Sequence, residues 1–250
     1  MIYWRLKRRF SGAALLFSLI AYFGAIIVKE IVQYATYKPL LASPYHGDVA
    51  LGLYFGLQTV FFEVGGAYLI ARVAISRAKM KAEDADGYGI GLAFWENGVL
   101  LGALTLVNLI SDYAILSLGS GSSVAQLVYN ALATSTPSYF DPPIKALPLI
   151  GFGFMERVSS LLFHFSWGYL CLLAAAFKRR HLFFVALPMG LLDFLVPFAS
   201  VIGIALFETI LSVLGISVTL LTWQITKDLR TRMRAQTPSV QPEGNARTSQ

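Results

Sequence analysis

The chain has 250 residues, 56% of them hydrophobic and 14% charged, and a mean hydropathy of +0.62. A soluble domain carries about 25% charged residues, so this chain cannot clothe a water-facing surface, and soluble α/β folds, DNA-binding modules and secreted disulfide scaffolds are excluded. The net charge of +6 is explained by where the basic residues fall, and no nucleic-acid partner is expected.

A helix needs about 20 mostly apolar residues to cross the hydrocarbon core, and six stretches qualify. In chain order they are Ser11–Val32, Val49–Ile75, Tyr88 to about Leu118, Leu147–Phe177, His181–Phe198 and Val201–Trp223. The fifth is short and holds Pro188 and Pro197. Only helices or closed barrels satisfy their backbone polar groups in lipid, and these runs are too long and unbroken for barrel strands. The expected fold is therefore an all-α polytopic transmembrane bundle. Residues 1–10 are read as a basic cytoplasmic amino terminus, 11–226 as the membrane domain and 227–250 as a basic cytoplasmic tail without fixed structure. The run after Arg5, Lys7, Arg8 and Arg9 exceeds a signal-peptide core and lacks a small-residue cleavage site, so it reads as a retained helix. Residues 119–146 form an outward loop in which Val124–Ala133 is predicted as a short interfacial helix.

Lysine and arginine set orientation. Sixteen of the 20 basic residues fall in the amino terminus (Arg5, Lys7, Arg8, Arg9), at the second connection (Arg72, Arg77, Lys79, Lys81), at the fourth (Lys178, Arg179, Arg180) and in the tail (Lys227, Arg230, Arg232, Arg234, Arg247). Lys38 and Lys145 fall on the other side, and Lys29 and Arg157 lie inside spans. This alternation expects both termini in the cytoplasm, in the plasma membrane, with the lipid bilayer as the surrounding partner.

Charges at mid-membrane cost at least about 2.5–3.5 kcal/mol on insertion scales, so each is a functional candidate. They are Glu63, Glu96, Asp112, Glu156, Arg157, His164, Asp193 and Glu208. At 1.5 Å per residue, Glu63, Glu96, His164 and Asp193 fall in one layer roughly 12–20 Å from the cytoplasmic face, and the other four lie roughly 22–36 Å from it. The outer group reads as a structural clamp in which Asp112, Glu208 or Glu156 balances Arg157. The inner group, three carboxylates and one histidine with no basic partner, suits a general acid/base, a proton relay or a cation site. Glycines around these acids (Gly65, Gly66, Gly87, Gly89, Gly91, Gly98, Gly102, Gly151, Gly153) are expected at close helix contacts, with the second, third and fourth spans at the centre. Cys171 is the single cysteine, so no intrachain disulfide and no multi-cysteine metal site exist.

Four segments carry a resemblance to a known family. Phe61-Phe-Glu-Val-Gly-Gly66, Gly91-Leu-Ala-Phe-Trp-Glu96, Glu156-Arg-Val-Ser-Ser-Leu-Leu-Phe-His164 and, more weakly, Met189-Gly-Leu-Leu-Asp193 resemble the conserved segments of the YhfC-like membrane peptidases. That family is related to the CAAX-protease and bacteriocin-processing proteins and to PrsW-type intramembrane proteases. The resemblance implies a water-activating glutamate, with a histidine or a metal polarising the scissile carbonyl, and a membrane protein or peptide as substrate. It carries over to Glu63, Glu96 and His164 as catalytic candidates, with Glu156, Arg157 and Asp193 supporting. The chain departs from the pattern at Phe62, Gly66, Leu92 and Met189, where the family has a glutamate, an arginine and two histidines.

His46 and His181 sit at span ends, leaving His164 as the intramembrane histidine. A zinc site with two or more histidines is thereby argued against, although one histidine with Glu63 and Glu96 can hold a divalent metal. Three functions follow: an intramembrane peptidase, a catalytically degenerate scaffold or chaperone for another membrane protein, and a small proton-coupled transporter. Against the last, no repeated halves are visible.

Overall fold

In lipid the backbone must satisfy itself, and a chain this apolar has the helix as its route. The computed structural model describes residues 11–44, 47–136, 140 and 142–236, and among these it holds helices and no strands. Six helices are long and apolar enough to span a membrane: α1 (Gly12–Ala42), α2 (Asp48–Ser76), α3 (Ala82–Leu116), α5 (Pro143–Ala176, apolar from Leu147), α6 (Arg180–Ile202) and α7 (Ile204–Ile225). Two shorter helices complete the set, α4 (Ser123–Ser135) in the long connection and α8 (Lys227–Gln236) after the last span. The expected spans are all present. The first continues ten residues past Val32, through Pro39 to Ala42. The predicted interfacial helix is α4, capped by the Ser122 hydroxyl on the Ala125 amide. The first ten residues of the expected tail are helical, and the rest of it, with residues 1–10 and His46, lies outside the described residues.

The most buried span is α5. Its face carries Phe163, Trp167, Leu170, Cys171, Leu172 and Leu173, and α2, α3, α6 and α7 pack around it. Two helix ends are pinned by side chains. Ser11 caps α1, and its amide donates to Asp84 Oδ1 (2.9 Å), whose other oxygen accepts the Lys81 amide, so one carboxylate joins the starts of α1 and α3. At the end of α7 the Arg230 guanidinium lies 3.6 Å from the Trp223 ring centroid and donates to the Trp223 carbonyl, satisfying an orphan acceptor of the last turn.

The expected close glycine contacts are met in part. On Gly89 a Cβ would lie 2.6 Å from the Phe165 carbonyl oxygen, and on Gly91 it would overlap Ser18 Oγ, whereas on Gly151 or Gly153 it would meet nothing within 4 Å. Two further tight sites lie outside the expected set. On Gly52 a Cβ would lie 2.5 Å from the Phe194 carbonyl oxygen, and on Gly190 one would lie 2.9 Å from Val60 Cα. Bare glycine on both partners therefore lets α6 lie against the backbone of α2. This approach sets Asp193 beside Thr59.

Candidate functional site

The acids of the inner layer sit on distorted helix. Within α2, Thr59–Val64 is a π turn and holds Glu63; within α3, Trp95–Ala103 is another and holds Glu96; within α6, Leu187–Phe198 is 3-10 and holds Asp193. A π turn departs from the α ladder and re-aims its side chains, and such turns are frequent at functional sites. The surroundings support the first one: Cys171 Sγ donates to the Val64 carbonyl (3.6 Å) and the Tyr88 hydroxyl to the Ala67 carbonyl (2.7 Å). The second is anchored by Trp95 Nε1, which reaches the Leu15 carbonyl (3.2 Å) and the Ser18 hydroxyl (3.1 Å) of α1.

These distortions bring the four inner residues together around two linked groups. In the first, the Lys29 ammonium from α1 donates to Glu63 Oε1 (2.7 Å), Thr59 Oγ1 (2.8 Å) and Asp193 Oδ2 (3.1 Å). An ammonium has three protons, and each finds an acceptor. Thr59 in turn donates to Asp193 Oδ2 at 2.5 Å. The inner layer was expected to lack a basic partner; Lys29 is that partner. Its flexible four-carbon stem lets its charge sit far from its own backbone, so the depth of its Cα misplaces it.

In the second group, His164 Nδ1 lies 3.0 Å from the Ser160 carbonyl, which only accepts, so Nδ1 carries a proton and Nε2 points inward. There Nε2 stands 2.5 Å from Glu96 Oε2 and 3.4 Å from Glu63 Oε2. Glu96 Oε1 accepts from the Ser160 hydroxyl (3.2 Å). His164 Nε2 and Glu96 Oε2 are both buried, and neither has a hydrogen bond of acceptable angle. Two lone pairs at that separation repel, so the contact requires a positive group, such as a proton, shared between them.

Both groups line one cavity of about 330 Å³, walled by Tyr22, Leu100, Trp167, Val196, Ile204 and Leu211 among others. Of the three acids expected to balance Arg157, Glu156 is the one that does. Arg157 pairs with its neighbour Glu156 and reaches Asn97 Oδ1 at 3.5 Å. Glu208 lies apart, 1% exposed, with Oε2 unpartnered. Glu156, Arg157 and Glu208 line the same cavity, whereas Asp112 does not. Three residues of the site escaped the sequence reading: Lys29, Thr59 and Ser160. Thr59 precedes Glu63 and Ser160 precedes His164 by four residues, which puts each hydroxyl on the same helix face as its partner. That spacing is the signal that could have found them.

A divalent metal on Glu63, Glu96 and His164 does not fit this arrangement. Two ligands of one tetrahedral ion bonded at 2.0–2.1 Å stand about 3.3 Å apart, so the 2.5 Å between Nε2 and Oε2 leaves no room for both to bind it. Glu63 Oε1 is taken by an ammonium. Among the described residues, no three His, Cys, Asp or Glu side chains are grouped as a metal cage.

A family model described as YhfC intramembrane metalloprotease matches residues 1–221. No curated protein and no solved structure matches the chain.

Proposed function

We propose that this chain, which belongs to the YhfC intramembrane metalloprotease family, is an intramembrane peptidase that uses Glu96 as its base and His164 as its polarising partner. The observation that supports the reading is the meeting of Glu63, Glu96 and His164, from three different spans, inside one cavity. Glu63 has one oxygen committed to the Lys29 ammonium, so its charge is balanced. Glu96 Oε2 makes no aligned hydrogen bond and meets His164 Nε2 across a shared proton, a contact that an entering water can replace.

In the resting site Glu96 and His164 hold a proton between them. Water admitted to the cavity replaces that contact. The Glu96 carboxylate takes one proton as the water oxygen bonds to the scissile carbonyl carbon, and the Nε2–H of His164 donates to the carbonyl oxygen as it becomes an oxyanion. Glu96 then passes the proton to the leaving nitrogen as the C–N bond breaks, giving one carboxylic acid and one amine. Ser160 acts through both partners: its hydroxyl orients Glu96 and its carbonyl fixes the tautomer of His164. The apolar walls select a membrane-embedded peptide.

In this reading both ends of the chain lie on the cytoplasmic side of the plasma membrane and the cavity in the inner half of the bilayer, an orientation supported by the alternation of basic residues along the connections. The test compares new protein termini in membranes from cells expressing the wild type with those from cells expressing Glu96→Gln at equal abundance. Termini present with the wild type and absent with the variant are expected. Identical sets overturn the reading, and identical sets with the cellular phenotype intact favour a scaffold.

A further inference from the structure

The family's description names a metal, and the cavity holds a fixed cation of its own. We propose that the Lys29 ammonium is the permanent counter-charge of this site, standing where a divalent ion would balance Glu63 and Asp193, so that the protein has no resident metal and acquires a metal site when Lys29 is removed.

Three observations converge. The ammonium is 14% exposed and has three acceptors for its three protons, which is the geometry of a built cation site rather than of a side chain passing through. The oxygens it touches, two carboxylates and a hydroxyl, are the hard donors that divalent ions prefer. The imidazole beside it is held by Ser160 with Nε2 aimed into the cluster, buried and without an aligned hydrogen bond; a metal-bound histidine is held in the same way through its other nitrogen. Removing the ammonium frees Glu63 Oε1 and Asp193 Oδ2, and Nε2 stands 3.4 Å from the other oxygen of the same glutamate. It also leaves two carboxylates, one buried and one half-buried, without their positive partner, and this raises the affinity of the vacated position for any cation small enough to enter.

The inference concerns charge balance and stands apart from the peptidase reading: a scaffold with the same pocket would show the same metal behaviour, and a peptidase that proved metal-loaded would sink this inference alone. The experiment incubates purified full-length protein in lipid nanodiscs with Zn(II) or Co(II) alone, removes free ion and measures retained metal by elemental analysis. The visible absorption of Co(II) and the thermal midpoint are recorded alongside. Wild type and Lys29→Arg are expected to retain no stoichiometric metal, with midpoints unmoved by metal or by chelator. Lys29→Ala is expected to retain about one ion per chain with a tetrahedral Co(II) spectrum and a midpoint that rises on adding metal, and Lys29→Ala combined with Glu63→Gln is expected to lose it. One tightly held ion in the wild type overturns the proposal, as does a folded Lys29→Ala that binds none. If Lys29→Ala folds only when metal is supplied during purification, that dependence supports it. If it folds under neither condition, the wild-type midpoint decides: a rise with metal or a fall with chelator overturns the proposal, and an unmoved midpoint with no retained ion upholds the counter-charge.

Discussion

The two halves of the cavity are made of the same kinds of residue and are in opposite states. Around Lys29 every donor has its acceptor: ammonium, hydroxyl and two carboxylates close on themselves. Around His164, a few ångströms away, a nitrogen and an oxygen are pressed together without an aligned bond between them. A satisfied network resists change, because any movement leaves a buried polar group unpaired. An unsatisfied pair is ready to exchange its partner for water or substrate. On the proposed peptidase reading, holding belongs to one half and reaction to the other, joined through Glu63, whose two oxygens face the two halves.

The strongest way to break that division is at Glu96. Glu96→Gln is expected to lower cleavage about 10²- to 10⁴-fold while the thermal midpoint stays near that of the wild type; a large loss of stability with it would move Glu96 into the holding half. Lys29→Met, without added metal, is expected to cost about 3–5 kcal/mol of stability, since it strands buried carboxylates. Adding Glu63→Gln to it should recover part of that loss, with a coupling of about 1–3 kcal/mol in a double-mutant cycle. Strictly additive costs would show that the network is not one unit. Gly190→Ala pushes a methyl against the Val60 backbone and is expected to cost about 1–3 kcal/mol, with activity falling further than stability alone explains because Asp193 is carried away from Thr59. Gly153→Ala, with open space around it, should do the opposite and gain up to about 1 kcal/mol from helix propensity. Denaturation of the two variants side by side separates a glycine that permits contact from one that does not.

The spans and the identities of Glu63, Glu96, His164 and Asp193 could be read from the sequence because lipid makes both signals loud: length of apolar run, and the expense of any charge within it. The partnership of Lys29 could not, because a lysine reaches several ångströms from its backbone and a depth counted along the helix ignores that reach. The distorted turns at Thr59–Val64 and Trp95–Ala103 were equally hidden. A helix in lipid is apolar all round, so no polar stripe exists whose slippage would betray a widened turn. Glycine patterns were informative only in part: Gly89 and Gly91 do sit at close contacts, whereas Gly151 and Gly153 share the same kind of spacing and meet nothing, because the choice between lipid and a neighbouring backbone is made by the partner helix. Nothing near Gly52 or Gly190 in the sequence names that partner.

The two linked groups around Lys29 and His164 draw polar side chains from α1, α2, α3, α5 and α6. During biosynthesis these segments leave the ribosome one after another, and the lysine emerges first while the aspartate it needs is still more than half a chain away. Until the fifth crossing has been inserted, the ammonium and the acids it serves are strangers within the bilayer, each a candidate for recognition by membrane quality control. A nascent copy that stalls midway therefore lacks the assembled cluster, and on the proposed peptidase reading no truncated form hydrolyses its neighbours before the bundle has closed.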